Sequence, residues 1–216
     1  MSDGARILPD TSRLSADDAK ETLRPLLRAH RRAQHPHPER GHSQICQELT
    51  EHALQAVEGS RSVAAFVSTG AEPCARLLLE RLHERGVEVL LPALGPQLAR
   101  CWAVFHGGED LCTRAPGRPP EPSGSPLPAQ AVAEVDALIV PALAVDRGGR
   151  RLGQGGGWYD RMLPLRRDGV LAFALLHPDE LVEGPLPTEE HDERVDAVIT
   201  AQEWFLLEGS RFAAGA

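Results

Sequence analysis

Residues 136–162, DALIVPALAVDRGGRRLGQGGGWYDRM, constrain the fold more than any other part of the chain. They open on the most apolar stretch of the sequence, DALIVPALAV. A run of this kind suits a strand buried on both faces, at the centre of a parallel sheet. Four glycines follow within five residues: Gly153, Gly155, Gly156 and Gly157. Glycine inside a helix or strand costs about 0.5–1 kcal/mol relative to alanine. The bare backbone therefore belongs to a connection, here leading into a helix expected from about Trp158. Ligands of open α/β sheets bind beyond the carboxyl ends of the strands, which is where this loop would lie. Its amides can approach an anion closely, and a helix N-terminus adds positive potential. Arg150 and Arg151 stand ready for phosphate oxygens. From the glycines alone, a phosphate loop and a flexible hinge or tight turn remain equal readings. Neither familiar phosphate motif fits. Gln154 follows Gly153 where a Walker A loop needs different spacing, and Trp158 fills the last glycine of the dinucleotide fingerprint.

The remaining segments place this unit in an alternating chain. Ser15 and Asp18 resemble a capping box, opening a helix to about residue 33. Lys20, Arg24, Arg28 and Arg31 recur on one face of it, and Leu23, Leu26 and Leu27 on another. Pro25 inside that helix predicts a kink or break. HPHPERGH reads as a linker. Ser43 caps a second helix to about Val57, with Ile45, Leu49, Ala53 and Val57 inward. SVAAFVS, then CARLLLERLHERG, then VEVLLP form a strand–helix–strand unit, with Gly86 ending the helix. CWAVFHG, VLAFALL and AVIT read as further strands. Residues 114–128, rich in Pro, Gly and Ser, read as an irregular surface excursion. The whole is α/β: an open, mostly parallel sheet with helices on both faces. The expected division is a loose tail over 1–14, one α/β domain over 15–210 and a short tail over 211–216.

Composition excludes several functions. With 42% hydrophobic and 25% charged residues among 216, a sizeable core can form. A formal net charge of −8 argues against a bulk nucleic-acid binder. No apolar run approaches a membrane span, and MSDGARILPD carries no apolar leader core. A cytoplasmic protein is expected, with Cys46, Cys74, Cys101 and Cys112 as reduced thiols. Of 23 basic residues only Lys20 is a lysine. A compact point charge is something an arginine fork does not imitate.

The string DALIVPALAVDRGGRRLGQGGGWYDRML resembles the motif of the 5-formyltetrahydrofolate cyclo-ligase family. It matches at Pro141, Asp146, Gly149, Arg151, Leu152, Gly153, Gly155, Gly157, Tyr159 and Asp160. AKETLR resembles the family's K-x-x-L-R, giving Lys20 and Arg24. FVSTGAEP resembles its folate-contacting segment, giving Val67 and Glu72. LPTEEHDERVDAVIT resembles its closing segment, giving Asp192 and Asp196. Ala142, Val145, Ala75 and Trp158 stand where the family has glycine, phenylalanine, threonine and tyrosine.

The resemblance implies a Rossmann-like three-layer fold of the NagB/RpiA/CoA-transferase type. It also implies ATP-driven closure of 5-formyltetrahydrofolate to 5,10-methenyltetrahydrofolate, with ADP and phosphate released. Phosphorylation of the formyl oxygen would activate the carbon for attack by N10. Lys20, Arg24 and Arg151 would neutralise the ATP phosphates, with Leu152, Gly153, Gln154, Gly155, Gly156, Gly157, Trp158 and Tyr159 completing the nucleotide site. Val67, Glu72, Gln154, Gly155, Gly156, Gly157 and Trp158 would hold the folate, and Asp160 and Asp192 a Mg²⁺ ion. Partners would be ATP and 5-formyltetrahydrofolate, with no nucleic acid, no membrane and a monomer expected. Asp196 reads as an ordinary surface carboxylate, and His191 as a residue of the site rim or of a surface loop. The alternative is a nucleotide-binding paralogue without cyclo-ligase activity; a sugar-phosphate enzyme explains the glycines and arginines but not Lys20, Glu72 and Asp192 together.

Overall fold

The structure, a computed structural model, describes residues 6–36, 43–114 and 117–213. In chain order the elements are β1 (Arg6–Ile7), α1 (Ala16–Gln34), α2 (Gln44–Ala56), β2 (Ser62–Ala64), α3 (Arg76–Glu84), β3 (Glu88–Leu94), β4 (Arg100–Val104), β5 (Leu111–Cys112) and β6 (Glu121–Pro122). They continue with β7 (Ala137–Pro141), β8 (Ala144–Asp146), β9 (Arg151–Leu152), α4 (Trp158–Met162), β10 (Leu171–Leu175), β11 (Leu181–Glu183), β12 (Ala197–Ile199) and β13 (Trp204–Leu206).

The main sheet runs β13-β12-β10-β7-β2-β3-β4. Its inner pairings are parallel, and β13 and β4 close the two edges antiparallel. Side chains alternate between two buried faces, as the period of a strand requires. Ile139, Phe173, Leu175 and Ile199 join one core with Leu78, Leu79 and Leu82 of α3 and Leu49 and Ala53 of α2. Leu138, Val140, Ala172, Ala174 and Val198 join the other, beneath Val132, Met162 and Leu163. The first face carries two full helices. The second is covered by α4 and short 3₁₀ turns at Ala129–Glu134 and Leu163–Leu165.

A smaller sheet, β1-β11-β8-β9, lies beside the main one. Here the apolar run departs from expectation. It is not one strand but two: β7 belongs to the main sheet, and from Leu143 the chain enters the small one, where the Leu143 amide donates to Leu152. Leu143, Ala144, Leu152 and Val182 form a third core with Leu23 and Leu27 of α1. Apolarity alone does not separate these segments, because both are buried. The small sheet also takes in Arg6–Ile7, inside the stretch expected to be a loose tail.

Helix starts follow their caps. Ser15 and Ser43 each accept from a backbone amide three residues on. Pro25 does not break α1, which is continuous through it. Pro25 and Glu21 lie on the exposed side, so the carbonyl that loses its amide partner can turn to water. One inward assignment fails: Ile45 is 59% exposed and Cys46 takes the inward place on α2; on α1 the apolar face buries Leu23 and Leu27 but leaves Leu26 45% exposed. The reduced-thiol expectation also fails for one pair. Cys46 and Cys74 form a disulfide across 28 residues, tying α2 to the segment before α3; Cys101 and Cys112 are free. The linker is described only at His35 and Pro36; its other residues lie outside the described ones. Among the described residues no helix is long and apolar enough to cross a membrane.

Candidate active site

The carboxyl ends of the central parallel strands open on a cavity of about 560 Å³. Phe66 and Val67 follow β2, Pro92 to Leu94 end β3, and Pro141 ends β7. Lys20, Arg24, Val67, Glu72, Arg151, Leu152, Gly153, Gln154, Gly155, Gly156, Gly157, Trp158, Tyr159, Asp160 and Asp192 all line it. Residues as far apart in sequence as 20 and 192 thus share one space. Arg150 does not; it turns away to Asp146, 3.3 Å distant.

One wall is made of cations held by carboxylates. The Lys20 ammonium is buried and contacts Asp192 and Glu189, the latter at 2.7 Å. Burial works against its charge, but hydrogen bonds to and charges of Asp192 and Glu189 outweigh it and hold its pKa above the ordinary value. For Asp192, burial is likewise outweighed by Lys20 and the Glu189 amide, and its carboxyl stays below the usual range. Arg151 donates to Asp160 at 2.6 Å. Each of these cations therefore faces a carboxylate of the expected metal pair.

The glycine loop completes this wall. Arg24 donates to the Gly153 carbonyl at 3.3 Å, Arg28 to that of Gln154 at 2.5 Å and Arg100 to that of Gly156 at 3.3 Å. With carbonyls so held, the amides of Gly155, Gly156 and Gly157 donate to no protein group among the described residues. Glycine is needed at Gly155, where φ is +98°, a conformation L side chains rarely adopt; at Gly153 a Cβ would stand 2.6 Å from the Arg151 guanidinium, which would have to shift. The helix that follows is only five residues long, so the potential of a long helix is not what this loop offers. Its own free amides are.

Aromatic and acidic groups adjoin this wall. Arg100 stands 6.0 Å over the Trp158 ring, which meets Trp102 edge-on; the Trp158 indole N–H is buried without an acceptor among the described residues. Arg151 stands 5.9 Å over the Tyr159 ring. Burial, then the charge of Glu72, push the Tyr159 phenol far above its ordinary pKa against the opposing pull of Arg151. It remains a hydroxyl, able to hydrogen-bond but not to act as a base at neutral pH. Glu72 closes a turn: its Oε2 accepts from the Thr69 amide at 2.8 Å and from the Thr69 hydroxyl at 3.1 Å. Its Oε1 accepts from Gln154 at 3.4 Å. Behind that turn, the His177 Nε2 pairs with the Ala71 carbonyl at 3.1 Å.

The donors suit a hard divalent cation, which takes carboxylate oxygens. Glu189, His191 and Asp192 bring one ligand atom each within 4.8 Å of one another. Asp160 lines the same cavity but stands outside that group, paired with Arg151.

The model of the 5-formyltetrahydrofolate cyclo-ligase family matches residues 16–201. The chain belongs to that family. A cyclo-ligase of Mycolicibacterium smegmatis is 39% identical over 145 residues, 65% of this chain and 73% of that one. One of Escherichia coli is 33% identical over 144 residues, 65% and 78% of the two chains. The fold is shared with the 5,10-methenyltetrahydrofolate synthetase of Aquifex aeolicus, at TM-score 0.66 and 23% identity over 89% of this chain and 94% of that one. It is shared also with the synthetase of Mycoplasma pneumoniae, at TM-score 0.63 and 14% identity over 84% and 98%.

Three departures from the cyclo-ligase pattern, Ala75, Ala142 and Val145, are core positions at most 2% exposed, so they alter packing behind the cavity. Only Trp158 reaches the cavity itself. Asp196 is not a surface carboxylate. It is buried, accepts from the Ala172 amide at 2.9 Å and pairs with Arg166, so it fastens β10. Sequence reading missed Phe66, Leu94, Arg118 and Glu121 on the cavity wall. Residues 114–128 carried no motif to mark them, and the place of Arg118 and Glu121 at the site depends on β6 folding back against β5 and β3.

Proposed function

We propose that this chain is a 5-formyltetrahydrofolate cyclo-ligase, closing its substrate to 5,10-methenyltetrahydrofolate with ATP converted to ADP and phosphate. The observation that carries the reading is that Lys20, Arg24, Val67, Glu72, Pro141, Arg151, Leu152, Gly153, Gly155, Gly157, Tyr159, Asp160 and Asp192, matched to the family's motifs from four separate segments, line one cavity; the matching Asp146, Gly149 and Asp196 stand outside it. Cations paired with carboxylates, free amides, and aromatic and apolar side chains share that one space.

Binding of ATP exchanges partners along the cationic wall. Lys20 and Arg151 leave Asp192 and Asp160 for phosphate oxygens, while Arg24 and the amides of Gly155, Gly156 and Gly157 complete the cradle. Asp160 and Asp192, with Glu189 beside the latter, would hold magnesium, which neutralises phosphate charge when bound. Phosphoryl transfer asks a protein mainly for positioning and charge neutralisation, and this wall is built for both. The formyl oxygen is a poor leaving group; as a phosphate ester it departs when N10 attacks the formyl carbon. Val67, Glu72 and Trp158 orient the folate for that attack, and Tyr159 stays protonated beside it. We place the reaction in the cytoplasm and assign it to a monomer.

Purified protein incubated with Mg·ATP and 5-formyltetrahydrofolate gives the absorbance of the methenyl product, dependent on both ATP and the metal. ATP binding with neither product nor ADP formed would instead identify a binding paralogue.

A further inference from the structure

Glu121 is a carboxylate that the reaction described above leaves unused. Only 6% exposed, it lines the cavity on the strand pairing of β5 and β6. One oxygen is spent on structure: Oε2 accepts from the Leu94 amide at 2.9 Å, with the Arg114 Nε 3.7 Å away. The other, Oε1, has no hydrogen-bond partner among the described residues. The residue is almost wholly buried, yet Oε1 is not among the sealed, unpaired polar atoms, so it keeps access to the cavity and is free to accept from a ligand there. Glu72 differs in this respect, since both of its oxygens already accept from protein groups, Thr69 and Gln154.

The surroundings define what Oε1 can take. Pro119 and Pro120, its neighbours in sequence, and Leu94, which bonds its Oε2, line the cavity with it, so the ligand part beside it is apolar in its faces. An acceptor set among apolar side chains selects a flat ring with N–H donors on its edge. Resting on the folate reading above, we propose that Glu121 binds the aminopyrimidine edge of the reduced pterin, through its exocyclic amino group. Glu72, fixed by Thr69 and Gln154, keeps its part in orienting the folate, and Glu121 adds selectivity for the edge of the ring.

Glu121→Gln tests this, since the amide oxygen still accepts from the Leu94 amide and the fold is kept; an unchanged melting temperature checks that. The probes are 5-formyltetrahydrofolate and its analogue lacking the 2-amino group. A hydrogen bond to a charged group corresponds to about a ten- to hundredfold change in affinity. The wild type should prefer the amino ligand by that factor in KM. In Glu121→Gln the KM for the amino ligand should rise to the level of the analogue, the preference should vanish, and the KM for ATP should stay. A variant that keeps the preference, whatever its absolute KM, overturns the proposal. Calorimetric titration of the two ligands separates this from the reaction assignment. Preference lost on substitution supports Glu121 even without turnover, and wild-type protein that binds both ligands equally refutes it.

Discussion

The two halves of α1 carry the same basic stripe and put it to opposite uses. In the first half, Lys20 and Arg24 reach the cavity, and their partners are carboxylates and a loop carbonyl at its edge. In the second half, Arg31 is buried against Glu180 at 2.5 Å and the Ala142 carbonyl. His30 and His35 both pair with Asp179, and His35 stacks on His177 at 3.6 Å between ring centroids. One half can exchange its partners for a ligand. The other is locked to the turn after β10 and, through His177, to the turn bearing Glu72. Spacing along a helix does not distinguish function from scaffold; what lies across from each side chain does.

The largest effect expected is on the locked half. Arg31→Ala strands the buried Glu180 carboxylate and should cost about 3–5 kcal/mol of stability, read by denaturant unfolding. Burial already raises the Glu180 pKa, with Arg31 opposing that rise, so removing Arg31 should raise it further. A loss under 1 kcal/mol would mean that the second half is not locked.

Next comes the acid limb of stability. Burial, chiefly, lowers the His177 pKa from 6.5 to about 4. The native state therefore favours the neutral ring. The contribution is present in full above pH 6.5 and is lost as pH falls toward 4, by about 3 kcal/mol in all. His177→Gln should flatten the pH–stability curve over that window; an unchanged slope would remove His177 from the locked set.

A smaller effect belongs to the exchanging half. Asp192→Asn keeps the acceptor for Lys20 and for the Glu189 amide but drops the charge. The Mg²⁺ concentration giving half-maximal turnover should rise about tenfold, with melting shifted little. An unaltered metal titration would break the assignment of Asp192.

Much of this molecule is legible in its sequence, for local reasons. Both helix caps act within three residues, and the alternating strands need only their own side chains. The glycine loop announces itself because its residues are glycine in a run, and Gly155 in particular holds a φ that L side chains rarely adopt. What escaped is long-range. The partner of Arg31 lies 149 residues away, and Glu121 reads as one acid in a Pro-rich segment until β3 is placed against it. Asp196 reads as a surface acid for the same reason, its amide partner lying 24 residues upstream on β10. Cys46 and Cys74 carry no spacing motif and meet only because α2 and α3 pack on one face of the sheet. Pro25 misled in the other direction, since solvent satisfies what the helix loses.

Lys20→Ala, followed at once by methenyl product formation and by thermal unfolding, tests the central claim most directly. The account predicts a fall of about a hundredfold or more in turnover with a melting shift far smaller than that of Arg31→Ala. Undiminished turnover, or a collapse of stability equal to that of Arg31→Ala, would contradict it.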